Sequence, residues 1–138
     1  MHMMITIDTI VSSPIEKVWK YWNDPNSVRQ WNHASEDWYC PKATNEFVEG
    51  GKFSYTMSST DNKSSFDFGG MYTKIELLKT IEITLGDGRK MTVEFEKVDD
   101  NNAIVTESFE TEDVNSVDRQ REGWQAILDN FKKYCENS

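Results

Sequence analysis

The sequence predicts an α+β domain in which a long C-terminal helix lies across a curved antiparallel sheet. Two patterns carry that expectation. Several short runs in the middle of the chain alternate apolar with polar residues, the period of a sheet covered on one side only. Residues 115–136 instead repeat apolar side chains every three or four positions, the stripe of an amphipathic helix. The element order is one strand, two short helices, a run of strands and a final helix. That is a layered α+β arrangement and not a βαβ repeat.

Each element has local support. Residues 4–11 are rich in β-branched side chains and read as a strand. Ser13 is placed to cap a helix, Pro14 suits the first helical position, and Glu16 completes a capping box. Ile15, Val18, Trp19 and Trp22 then form one apolar face. Asn23-Asp24-Pro25 ends this helix, and Asp24 with Pro25 starts a second that carries Val28 and Trp31.

Three runs follow with strand alternation. Phe53, Tyr55 and Met57 share one face, as do Phe66, Phe68, Gly70 and Tyr72, and as do Met91, Val93 and Phe95. Glu94 and Glu96 then look outward. Asp61-Asn62-Lys63, Gly86-Asp87-Gly88 and Asp99-Asp100-Asn101-Asn102 supply turn chemistry between runs. Gly69-Gly70 inside a strand suggests a bulge or sharp bend. The last helix takes Asn115 as its cap and Asp118 in its first turn. Val114, Val117, Trp124, Leu128, Phe131 and Cys135 make its stripe, widened by Ile127 and Tyr134. About five turns of such a helix require an apolar partner, and the sheet offers the one large face.

Composition narrows the function classes. A chain of 138 residues is one ordinary domain, with no internal repeat or low-complexity linker. Apolar residues make up 37% and charged residues 28%, as in soluble globular proteins. No apolar run is long enough to span a bilayer, and no basic-then-apolar leader is recognisable. Met1-His2-Met3-Met4 carries no functional motif. With 24 acidic against 15 basic residues the net charge is −9, which disfavours nucleic acid and anionic membranes as partners. Cys40 and Cys135 form no CxxC and are expected to be free thiols in a reducing, cytoplasmic setting. Asn62-Lys63-Ser64 reads as a turn rather than a glycosylation site. No phosphate-binding loop or nucleotide fingerprint is present, and no cofactor is expected.

Four stretches together resemble a known family. They are Ser13-Pro14-Ile15-Glu16-Lys17-Val18-Trp19 with Asp24-Pro25 and Trp31, then Gly50-Gly51-Lys52-Phe53-Ser54-Tyr55-Thr56-Met57, then Phe68-Gly69-Gly70-Met71-Tyr72, and finally Gly123-Trp124-Gln125-Ala126-Ile127-Leu128-Asp129-Asn130-Phe131. The chain resembles START-related helix-grip domains of the SRPBCC superfamily. Within it, it is similar to the subfamily named after the activator of the heat-shock-protein-90 ATPase. The resemblance runs from about residue 4 to the C-terminus. It implies a seven-stranded sheet gripping the last helix around a cavity, and a small hydrophobic molecule as ligand. The eukaryotic activator's additional N-terminal domain has no counterpart in these residues, so chaperone activation does not carry over directly. Asn32 to Lys42 departs from the family pattern where members vary their pocket mouth.

The aromatic residues are the main candidates for a binding site. Phe53, Tyr55, Phe66, Phe68, Tyr72, Phe95, Trp124 and Phe131 all point into the space between helix and sheet if the alternation holds, with Met91, Val93 and Leu128 beside them. Phe53, Phe66, Phe68, Phe95 and Phe131 are expected to be buried in one interior with Trp124. The set forms either a filled core or the wall of a ligand cavity. Trp31, Trp38 and Tyr39 flank a polar loop and serve either as a pocket mouth or as a cap on the core. Trp124 is expected in the cavity roof near Phe68 and Tyr72, and Gly123 before it suggests close approach of another segment or a helix bend.

Catalytic and metal sites have less support. His33, with Glu36, Asp37 and Cys40, matches no metal-ligand spacing, and His2 is the remaining histidine. Cys40 as a nucleophile would need His33 as its base. Glu107 faces inward if Val105 and Phe109 do, and outward if Ile104, Thr106 and Ser108 do. The outward glutamates on the neighbouring strand favour the second register. Arg121 breaks the helix stripe and is expected to run to solvent along the helix edge. The leading expectation is a non-enzymatic binder or carrier of a small hydrophobic molecule. The alternatives are a co-chaperone-like stress-response domain with a chaperone partner, or a cyclase- or hydrolase-like enzyme using the same cavity.

Overall fold

The computed structural model describes residues 3–138. The chain opens with β1 (Met4–Val11), α1 (Ile15–Asn23) and α2 (Pro25–Trp31). Then come β2 (Trp38–Asn45), β3 (Lys52–Ser59), β4 (Ser65–Glu76), β5 (Thr80–Leu85), β6 (Lys90–Asp99) and β7 (Asn102–Glu110), and last α3 (Val117–Glu136). The strands form one seven-stranded sheet in the order β1-β7-β6-β5-β4-β3-β2. Every neighbouring pair is antiparallel. Successive hairpins build β2 to β7, and the first strand joins beside the last. The α1–α2 segment carries the chain from β1 at one edge to β2 at the other.

The expected α+β helix-grip architecture is therefore present, and α3 lies along the β1 edge. Three of its side chains reach carbonyls at alternate positions of that strand. Arg121 Nη1 donates to Thr6 O at 3.3 Å, Gln125 Nε2 to Asp8 O at 3.3 Å, and Lys132 Nζ to Ile10 O at 2.7 Å. Polar side chains thus cover an edge that would otherwise offer unpaired backbone to another strand. Arg121 runs along the helix edge, away from the sheet–helix interior, as its break in the stripe suggested.

The glycine pair in β4 differs from expectation. Gly69 and Gly70 pair regularly with Ser54 and Phe53, and the register shift between β4 and β5 falls further on, between Tyr72 and Lys74. Close approach is what requires glycine there. A Cβ on Gly69 would lie 2.6 Å from Phe53 O, and one on Gly70 would lie 2.5 Å from Thr84 O. Neighbouring backbones press in from both sides, consistent with a strongly coiled sheet.

The expected N-caps of α1 and α3 are also corrected. Ser13 does not cap α1. The N-cap is Pro14, without a side-chain bond, and Ser13 Oγ instead donates to Cys135 O at 3.2 Å. A carbonyl in the last turn of α3 lacks an intrahelical partner, so the hydroxyl is drawn to that helix end rather than to α1. No return bond from Glu16 accompanies it. At the other end of α3 the cap is Ser116, whose side chain accepts from Arg119 N, and not Asn115. Val114 lies outside the helix and is exposed. The Asp24 cap of α2 holds, with Ser27 N donating to its carboxylate.

The core is divided along the grip. Val18, Val28, Val93, Val105, Leu128 and Phe131 are fully buried. Trp19 meets Phe95 edge-on at 5.0 Å between ring centres. Trp22 stacks on Trp31 at 4.9 Å, and both present faces or edges to Phe131. This end of the interior is solid. Beyond the Trp22–Trp31 pair the packing opens.

Candidate functional site

A cavity of about 400 Å³ lies between the sheet and the N-terminal half of α3. Its walls are built by strand alternation. Phe53, Tyr55 and Met57 project from β3, Phe66, Phe68 and Tyr72 from β4, Ile83 from β5, and Met91 from β6. Trp22 and Trp31 close the filled end, while Gly123, Trp124 and Ile127 of α3 form the roof.

Of the residues expected at a ligand site, Trp31, Phe53, Tyr55, Phe66, Phe68, Tyr72, Met91 and Trp124 border this space. Val93, Phe95, Leu128 and Phe131 do not, because they sit in the solid end, fully or almost fully buried. Trp38 stands behind the wall, its ring edge-on to Phe66 at 5.7 Å. Tyr39 is directed outward, its hydroxyl bonded to Asn62 Oδ1. Phe66 corrects the expectation of a mostly buried ring. It is 54% exposed, because the start of β4 runs past the cover of α3 and places the ring at the rim.

Trp124 lies flat on Phe109, with ring centres 3.9 Å apart and planes 10° from parallel. Phe68 meets the same indole edge-on at 5.7 Å. The expected contact with Phe68 is present, but the main support comes from β7. At Gly123 one of the two expected alternatives, close approach of another segment, is corrected. Nothing lies within 4 Å of a Cβ built on it, so no segment approaches closely there. The residue borders the cavity and leaves it open.

Polar groups in the wall fall into two kinds. Most are partnered. Asn45 Nδ2 donates to Tyr72 Oη and to Asn23 O, and the Tyr55 hydroxyl interacts with Tyr72 and Asn45. Burial above all holds both phenols above their ordinary range. Arg89 Nε donates to Asp87, and its Nη1 donates to Glu110 O. Gln120 ties down the β7–α3 loop through Glu112 and Asn115. Arg119 reaches the exposed rim from the first turn of α3, its guanidinium without a partner among the described residues.

Glu107 is the other kind. Its strand has the register with Val105 and Phe109 inward, so the expectation of an exposed Glu107 is overturned. The cause lies in pairing. Glu107 stands between Ile7 of β1 and Val93 of β6, both buried, so all three share the inner face. Glu94 and Glu96 do look outward, but Glu94 pairs with Thr106 and Glu96 with Ile104, the opposite face of β7. Glu107 is 4% exposed, borders the cavity, and has no hydrogen-bond partner among the described residues. Burial alone pushes its carboxyl up to about 8. At neutral pH it is mostly a protonated acid, with an O–H to donate.

The other reactive candidates do not converge. Among the described residues no three His, Cys, Asp or Glu side chains are grouped as metal ligands, and His2 lies outside those residues. His33, Glu36, Asp37 and Cys40 are not brought together as a site. Cys40 and Cys135 are free and buried, and burial pushes the Cys135 thiol up to about 12. Sequence reasoning missed Arg89, Arg119, Gln120 and Asn32 at the cavity. Arg89 follows a turn, Arg119 is polar at a helix start, and neither lies on an apolar face that marks a wall.

Comparison with known proteins follows the same lines. The family model described as Activator of Hsp90 ATPase homolog 1-like protein matches residues 12–136. The solution structure of an AHSA1-like protein from Aeromonas hydrophila is similar at 37% identity and TM-score 0.90, covering 98% of this chain and 93% of that one. A protein from Cytophaga hutchinsonii shares 45% identity with TM-score 0.83, covering 96% and 92%. A Chromobacterium violaceum protein at 20% identity and TM-score 0.86, covering 97% and 98%, shares the fold. No significant match is found among curated proteins.

Proposed function

The chain belongs to the Activator of Hsp90 ATPase homolog 1-like family, and from that premise we propose that it binds or carries a small, mainly apolar molecule between the sheet and α3. The observation that carries this reading is the cavity itself. It has about 400 Å³ of space walled by Phe53, Phe68, Met91 and Trp124, beside a fully buried cluster that includes Phe131 and Leu128. Close packing is the rule in protein interiors, and space of this size beside a filled aromatic cluster suits an occupant. The wall is aromatic and its few polar groups are distinct in position, the composition of a site that holds a body by burial and orients it by one or two bonds.

No described helix is long and apolar enough to cross a membrane. The free buried thiols and the acidic surface fit a cytoplasmic carrier without affinity for nucleic acid. A co-chaperone-like role, which the family description suggests, would act through an outer surface and a chaperone partner. Catalysis would require a second group acting on substrate beside Glu107. The interior cavity favours the binding role over both.

The test is a fluorescence titration with the neutral dye N-phenyl-1-naphthylamine. The parent should bind it saturably, and Gly123→Phe, which sends a ring into the open roof position, should bind it at least tenfold more weakly while keeping its melting temperature. Equal binding by both proteins would place the dye elsewhere and remove the support for this reading.

A further inference from the structure

Glu107 is a buried acid with nothing on the protein to bond. Tyr72 accepts from Asn45, Tyr55 interacts with both, and Arg89 is engaged by Asp87 and Glu110. Among the described residues bordering the cavity, Glu107 is the one buried carboxyl without a partner, while the unpartnered guanidinium of Arg119 stands at the exposed rim. A buried polar group left without a partner is costly, so its presence at the cavity needs a reason. Removing it would be simple, since Ile7 and Val93 beside it are apolar and the wall would then be continuous.

We propose that Glu107 is the hydrogen-bond donor of the ligand site and that it selects planar aromatic molecules carrying a carbonyl oxygen. This rests on the reading of the cavity as a binding site. A carboxylic acid in its neutral form offers one O–H, and a ketone or ester oxygen accepts it without bringing a donor of its own. The neutral carboxyl also keeps an acceptor oxygen, so the discrimination lies between molecules that carry a carbonyl oxygen and hydrocarbons that carry none. The ring system lies against Trp124 and Phe68, which are already set at right angles to each other.

The protonation state agrees with this geometry. Burial is the one cause of the raised value at Glu107, so neither Arg89 nor Arg119 draws the carboxyl into its ionised form. The titratable and charged groups sharing the cavity are Tyr55, Tyr72, Arg89, Glu112 and Arg119. Ile7 and Val93 flank Glu107 on the adjacent strands, and α3 faces the cavity with Trp124. Both tyrosines are held above their ordinary range, so Glu107 is the wall group that changes charge between pH 6 and pH 9.

The experiment uses a matched pair, 2-acetylnaphthalene and 2-ethylnaphthalene, measured by equilibrium dialysis at pH 6 and pH 9. The proteins are the parent, Glu107→Leu and Glu107→Gln, each checked for folding by thermal melting. The ratio of ketone to hydrocarbon affinity at pH 6 should fall roughly fivefold or more in Glu107→Leu. Glu107→Gln retains a donor and should keep most of the preference at both pH values. In the parent the preference should collapse at pH 9, where the carboxylate can no longer donate. An unchanged ratio in Glu107→Leu, or a parent ratio independent of pH, would overturn the donor role while leaving the cavity a binding site. A preference for 1-(2-naphthyl)ethylamine over the ketone that grows toward pH 9 would also overturn it, by showing a carboxylate that takes cations. Failure of the parent to bind either naphthalene would overturn the cavity reading and this inference with it.

Discussion

The indole of Trp124 lies stacked on the ring of Phe109, 3.9 Å between centres and 10° from parallel. Phe109 is fully buried on β7, two residues from Glu107 on the same inner face. One strand therefore sets both the roof of the cavity and its acid. Trp124→Ala should cost about 2–3 kcal/mol, at or below the usual range for a buried tryptophan because space already lies beside the ring. Trp124→Phe should fold with little loss and bind the naphthyl dye more weakly than the parent. Chemical denaturation and dye titration check the two halves. An unchanged affinity in the Phe variant would make Trp124 core only.

Gly123 offers the opposite change. Its Cβ position is empty and its backbone is helical, so Gly123→Ala adds helix propensity without a clash. The variant should gain about 0.5–1 kcal/mol in urea unfolding. Its dye affinity should fall slightly. A loss of stability would mean that the roof is closer packed than the open space around Gly123 indicates.

Much of this arrangement was legible in the sequence, and the limits were physical. The alternation of Phe53, Tyr55 and Met57, and the stripe of Trp124, Leu128 and Phe131, fixed sheet and helix because burial enforces those periods. β7 did not resolve, since Ile104 and Val105 offer apolar residues to both faces and the deciding inward residue is an acid. β2 carries no strand signal in the sequence, because Trp38 to Lys42 shows no alternation and contains Pro41, which an edge strand tolerates. The filled and open ends of the interior could not be told apart, since Phe95 and Phe68 carry the same signal while only the tertiary packing of Trp19 and Trp22 fills one of them.

Glu107 makes stability depend on pH. Its carboxyl titrates near 4.5 when exposed in the unfolded chain and at about 8 in the fold. Between these values the folded state holds a proton that the unfolded state has released. The contribution is complete below the lower value and is lost as pH rises through the upper one, a swing of a few kcal/mol. Glu107→Leu and Glu107→Gln should both flatten the fall in denaturant midpoint between pH 6 and pH 9. A parent midpoint that stays level over that range would show Glu107 ionised in the fold at neutral pH.

Ser13 ties the start of α1 to the end of α3 through Cys135 O, beside Ser12 N, which donates to Glu136 at 2.9 Å. Ser13→Ala should cost about 1 kcal/mol. Ser13→Asp separates this bond from helix capping. An aspartate would serve well as a cap acceptor, but it cannot donate to a carbonyl. It should therefore be less stable than the alanine variant. An aspartate variant as stable as the parent would restore Ser13 to a capping role.

The central claim is that an apolar molecule occupies the space under α3. Intermolecular nuclear Overhauser effects between 2-acetylnaphthalene and the isotope-labelled protein test it most directly. The account predicts contacts from the naphthalene protons to Phe68, Met91 and Trp124, and from the acetyl methyl to the Glu107 side chain, with none to the solid cluster of Phe95 and Phe131. Contacts confined to the outer face of the sheet, or to exposed residues such as Leu77 and Val98, would contradict it.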